Sequence, residues 1–193
     1  KPMSEGAVIT NLHEVRRQIA EAARAAGRTA ERIALLAVTK TVDCQAVQWA
    51  LAAGQHDFGE NRVQEFVHKS GALPAVCRWH LIGHLQRNKV RAALRTGAVI
   101  HSVDSAELLD RIAHIAAEEA CRPRVLIQVN VSGEATKSGA TPESALALAE
   151  RALRLPVVVL AGFMTMAPLE ADRDARQGVR SEEHKSELQS PNT

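Results

Sequence analysis

Six short apolar runs, separated by stretches with helical periodicity, constrain this chain more than any other feature. The runs cover residues 33–39, 56–59, 79–83, 99–103, 125–131 and 157–164. Helical stretches lie near 44–53, 62–69, 88–95, 106–120 and 142–153, and a longer amphipathic helix, about 7–26 and closed by Gly27, precedes them all. Asp43 and Ser105 stand at N-cap positions, and Thr141-Pro142 combines a cap with proline in the first turn. Strands that alternate with helices connect through βαβ crossovers and form a parallel sheet.

Such a repeat fits either an open doubly wound sheet or a (β/α)₈ barrel of which about six units are present. An open nucleotide-binding sheet carries a glycine-rich turn after its first strand. Here that turn reads TKTVD and contains no glycine. The pattern therefore leans towards the barrel, whose functional residues gather at the C-terminal ends of the strands. Lys40, Glu60, His84, Asp104 and the residues after Val131 would then share one rim.

Length and composition narrow the function classes. The 193 residues suffice for one domain with a full-sized core. A net charge of +2, spread along the chain, gives no basis for a nucleic-acid or membrane surface. No apolar run reaches the roughly 18 residues that span a bilayer, and the opening KPMSEGAVITNL lacks the apolar core of a signal peptide. Cys44, Cys77 and Cys121 are odd in number and far apart, as expected of reduced thiols in a cytoplasmic protein. The polar, aperiodic end, Arg180–Thr193, looks like translated read-through of a sequencing-library adapter. The expected organisation is one incomplete barrel domain over residues 1–179, followed by a foreign tail.

Several stretches could carry chemistry. Lys40 closes the apolar run 33–38, and a lysine held at the edge of an apolar core loses hydration and becomes a better nucleophile. Such an amine can form a Schiff base with an aldehyde, whereas a lysine snorkelling into water would do nothing. In FGENRVQE, residues 58–65, Asn61 could bond a ring hydroxyl and Glu60 could orient a cation; taken alone, the stretch reads better as a plain turn with a helix N-cap. His80 and His84, in WHLIGHLQRNK, lack a carboxylate at HExxH spacing, so no metal site is expected. Lys137 lies in a Gly- and Ser-rich loop that could offer N–H groups to an anion or could be a plain connection. Met164 and Met166 could pack on a flat ring or simply fill core.

Taken together, LLAVTKT, FGENRVQE, WHLIGHLQRNK, IHSVDS, QVNVSGEATKSG and GFMTMAP occur in an order that resembles the pyridoxal phosphate homeostasis proteins. That family is related to the barrel domain of bacterial alanine racemase, and the resemblance covers about residues 12–168. It implies a TIM (β/α)₈ barrel of the alanine racemase N-terminal-domain type, here with about six of its eight βα units. It further implies that Lys40 holds pyridoxal 5′-phosphate as an aldimine and that Asn61 and His84 line the cofactor pocket. Lys137 matches a family lysine of less certain role. By the same resemblance the protein is a cytoplasmic monomer that buffers the cofactor for dependent apoenzymes, without established catalysis. Family members continue into a seventh and an eighth strand whose loops grip the phosphate, and this chain is expected to lack them.

Racemisation needs an acid and a base on opposite faces of the substrate carbon. Alanine racemase supplies one of them as tyrosine, and this sequence contains no tyrosine. Two rival functions stay open on the sequence alone: a Schiff-base enzyme of racemase or aldolase type using Lys40, and a binding module that takes no cofactor.

Overall fold

The computed structural model describes residues 3–131 and 138–166. Lys137, the end of the GFMTMAP motif and the whole of Arg180–Thr193 lie outside the described residues. The chain forms two compact units, Lys1–Val99 and Ile100–Thr193.

The first unit opens with helix α1, Glu5–Ala25, whose N-cap Ser4 accepts from the Ala7 amide. There follow β1 (Ala37–Val38), α2 (Cys44–Ala52), β2 (Asp57–Glu60), α3 (Val63–Ala72), β3 (Arg78–Leu81) and α4 (Val90–Leu94). The three strands are parallel and neighbour one another in chain order, with Val38 level with Gly59 and Phe58 level with Trp79. No strand is inserted between sequence neighbours, so the unit shows no reversal of the kind that marks a doubly wound sheet. Its core joins Val47 and Ala50 of α2, Phe58 of β2, Phe66 of α3 and Trp79 of β3. The Trp79 ring lies 5.7 Å from Phe58 and 5.8 Å from Phe66, centroid to centroid. Cys77 belongs to this core, and burial pushes its thiol up from the usual range.

The second unit is built from β4 (Val99–Val103), α5 (Ala106–Glu118), β5 (Arg124–Gln128), α6 (Pro142–Leu153) and β6 (Val159–Met164). These strands are again parallel and sequential. Leu108, Leu109, Ile112, Ile115 and Ala116 form the buried stripe of α5, which is the spacing expected of a helix lying on a sheet. Arg151 of α6 reaches Asp110 of α5 with two hydrogen bonds of 2.7 Å.

Helices follow the sequence closely because their ends are set locally. Asp43, Ser105 and Thr141 each accept a bond from the third residue on, as an N-cap does. Strand lengths follow it less well. The run 33–39 is not a buried strand: only Ala37–Val38 pair, and Val38 is 47% exposed. The Leu35 carbonyl instead accepts from the Gln55 side-chain amide at 2.7 Å, which removes it from the strand ladder. The run 125–131 stops at Gln128, after which Val129 bridges to Ala140.

Phe66 is fully buried between α2, β2 and β3. Phe66→Ala should lower stability by about 3–5 kcal/mol, read as a shift of the urea midpoint at constant slope.

Candidate functional site

Successive strand residues face opposite sides of a sheet, and this rule sorts the ends of β1 and β2. Val38 pairs with Gly59, and the Thr39 amide extends that ladder by donating to the Gly59 carbonyl. Thr39 and Glu60 turn to the buried side, where the Thr39 hydroxyl donates to Glu60 Oε1 at 2.6 Å. Lys69 of α3 meets them there. Its Nζ lies 2.6 Å from Glu60 Oε1 and donates to the Thr39 carbonyl at 2.7 Å. Side-chain exposure is 8% for Lys69 and nil for Glu60, so this is an ion pair out of water. Glu60 Oε2 is buried as well and has no hydrogen-bond partner among the described residues.

Lys40 and Asn61 take the opposite side. Lys40 is exposed, and Asn61 is half-buried. The Lys40 backbone sits in a tight turn closed by a 3.0 Å bond from the Val42 amide to the Thr39 carbonyl. Thr41, also in that turn, has a φ of 62°, a left-handed conformation that costs a residue with a Cβ roughly 1–2 kcal/mol.

Gly59, bare of side chain, lies on the same face as Lys40 and Asn61. A Cβ placed there would come within 3.3 Å of both the Leu36 and the Ile82 side chains. Beyond β3, Gly83 crosses the Asn61 backbone so closely that a Cβ would stand 2.1 Å from its carbonyl oxygen. His84 follows immediately and is exposed. Lys40, Asn61 and His84 thus stand after the C-terminal ends of three consecutive parallel strands of one unit.

Other expectations are corrected. Glu60 does not join Lys40 on a rim, because strand alternation turns it the other way and Lys69 holds it. Lys40 is not desolvated at the edge of an apolar core; its side chain is in water. His80 Nε2 lies 3.1 Å from Asp57 Oδ1 at the start of β2. Arg78 also bonds Asp57, and this chiefly holds the Asp57 carboxyl below the usual range against the opposing effect of partial burial. Asp104 directly follows β4, at a strand end as expected. Among the described residues no group of three His, Cys, Asp or Glu side chains could hold a metal ion. Nor is any described helix long and apolar enough to cross a membrane.

A cavity of about 270 Å³ lies at the opposite, N-terminal ends of β2 and β3, lined among others by Arg16, Gln55, His56, Asp57 and Arg78. It is far along the strands from Lys40 and plays no part in this site.

Thr39, Lys69 and Gly83 are the site residues that sequence reasoning passed over. Lys69 left the clearer signal: with Val63 and Phe66 it completes the buried i, i+3, i+6 stripe of α3, where a lysine is rare unless paired.

The chain is similar to known proteins along most of its length. Residues 10–189 match the family described as alanine racemase, N-terminal domain. A pyridoxal phosphate homeostasis protein of Pseudomonas aeruginosa is 41% identical over 173 residues, 89% of this chain and 75% of that protein. The structure of PipY from Synechococcus elongatus without PLP superposes with a TM-score of 0.82 at 33% identity, covering 94% of this chain and 82% of that one. The same protein with PLP bound gives 0.72 at 37% identity, over 80% and 74% of the two chains. Alanine racemase from Streptomyces coelicolor, at 20% identity, a TM-score of 0.73 and coverage of 96% of this chain and 49% of that one, shares the fold. The parallel α/β architecture of alanine racemase type, expected from the sequence, is therefore the one observed.

The Gly83–Asn61 contact yields a direct test. Gly83→Ala should cost about 1–3 kcal/mol, because the Asn61 backbone must move. Gly71→Ala, in α3 with nothing within 4 Å of the new methyl, should instead gain about 0.5–1 kcal/mol. Urea unfolding of the two variants measures both.

Proposed function

Because the chain belongs to the alanine racemase N-terminal-domain family, and within it to the pyridoxal phosphate homeostasis proteins, we propose that it binds pyridoxal 5′-phosphate covalently through Lys40 and acts as a carrier. The observation that carries this reading is the placement of Lys40. It is a solvent-accessible amine on a turn that follows β1 and is anchored to a buried ion pair.

The residues present fit such a cofactor. Lys40 offers the nucleophile, and Asn61 and His84 offer hydrogen-bonding groups at neighbouring strand ends. Gly59, without a Cβ, lets the Leu36 and Ile82 side chains close over β2 and give that face an apolar lining. The cofactor supplies an aldehyde that exchanges between amines; the chain supplies the amine, its orientation and the polar contacts.

In this reading the protein does not turn over amino acids. No tyrosine stands anywhere in the 193 residues to serve as a second acid or base opposite Lys40, as two-base racemisation requires. The protein works as a cytoplasmic monomer and passes the cofactor to dependent apoenzymes.

Adding pyridoxal 5′-phosphate should produce a visible absorption band, and borohydride followed by peptide mapping should fix the pyridoxyl mass on Lys40. Lys40→Ala should abolish the band with little change in far-UV circular dichroism. Label found chiefly on Lys89, or scattered over surface amines, would defeat the assignment.

Alanine racemisation and transamination should not exceed the rate given by free pyridoxal 5′-phosphate. Turnover well above that rate, lost in Lys40→Ala, would make the protein an enzyme and the carrier reading wrong.

A further inference from the structure

Thr39, the residue before Lys40, has every polar group engaged. Its amide donates to the Gly59 carbonyl at 2.9 Å, and its hydroxyl donates to Glu60 Oε1 at 2.6 Å. Its carbonyl accepts both the Val42 amide at 3.0 Å and Lys69 Nζ at 2.7 Å. That carbonyl is the hinge of the turn carrying Lys40 and the left-handed Thr41. Lys69 reaches it from the buried stripe of α3 while holding Glu60 with the same ammonium. A buried ion pair is weak evidence for stability, since well-packed apolar residues of similar volume often serve as well or better. Its geometry here serves something else.

We propose that Lys69 is a positioning residue for Lys40. Its ammonium ties the Thr39 carbonyl to the Glu60 carboxylate and so fixes the turn from which the Lys40 amine meets an aldehyde. The proposal rests on Lys40 being the cofactor lysine. Lys69 itself touches no cofactor, because strand alternation places it on the far side of the sheet from Lys40. Glu60 shares the role through its bonds to Lys69 and to the Thr39 hydroxyl.

The test compares the parent protein with Lys69→Met/Glu60→Gln, which removes both charges together and leaves no stranded ion. Pyridoxal 5′-phosphate is the probe. The readouts are its affinity, the pH midpoint of its visible band, the site of borohydride trapping and the urea midpoint. In the double variant the urea midpoint should stay near the parent's. Affinity should fall by about tenfold or more, which corresponds to roughly 1.4 kcal/mol, and the pH midpoint of the band should move. Affinity and pH midpoint equal to the parent's in a folded double variant would overturn the proposal. If the double variant does not fold, Thr39→Val takes its place. It removes only the hydroxyl bond and should shift both cofactor readouts in the same direction by less; an unshifted Thr39→Val overturns the proposal equally. A parent that traps no pyridoxyl group on Lys40 would instead refute the cofactor reading itself, a separate failure visible before any variant is made.

Discussion

A lysine buried beneath a strand end is costly unless its ammonium donors find oxygen, and that requirement organises everything around Lys40. Removing an ion from water costs several kcal/mol even after the protein relaxes. Lys69 offsets the cost with two contacts of 2.6 and 2.7 Å, to Glu60 and to the Thr39 carbonyl. Deleting one partner alone would leave the other charge buried, at about 3–5 kcal/mol. The ends of β1 and β2 and the middle of α3 are therefore coupled, and none can shift without breaking the pair.

Strand alternation turns that lock into a division of labour. One side of the two strand ends carries Thr39 and Glu60 and is sealed by α3. The other carries Lys40 and Asn61, the residues of the proposed cofactor site. Gly83 extends the scheme to β3, since only a residue without a Cβ could approach the Asn61 carbonyl so closely. Neighbouring strand ends are thus held by two unlike devices, an ion pair on the buried side and a backbone contact beyond it.

What the sequence revealed follows from which constraints are local. The caps at Asp43, Ser105 and Thr141 depend on a residue and its third neighbour, and all three act as their positions suggested. The helix over 142–153 was readable to both ends. β1 was not, because its length depends on the side chain of Gln55, twenty residues away from the Leu35 carbonyl it satisfies. Glu60 was misplaced for a similar reason: a carboxylate beside Asn61 reads as a surface group until its cation is known. That cation lies nine residues on, and only the stripe formed with Val63 and Phe66 marks it as buried. Gly83 was visible as a glycine after a strand, but its reason is a contact with a residue of another βα unit.

If Lys40 carries the cofactor as proposed, its exposure alters how its selectivity is to be explained. Had it been buried, loss of hydration would have set it apart from other amines. In water it has no such advantage, and any exposed lysine would meet the aldehyde as readily. What distinguishes it is order. The turn that carries it is closed at Thr39, and Thr39 is held by β2 on one side and by α3 beneath. A nucleophile pre-oriented on a rigid element forfeits less freedom when it captures its partner than one on a free chain. An accessible amine also stays open to competing amines, which suits the proposed carrier role. On the proposed reading, the buried pair and the exposed lysine are two parts of one arrangement: the first supplies the order that makes the second selective without closing it off from water.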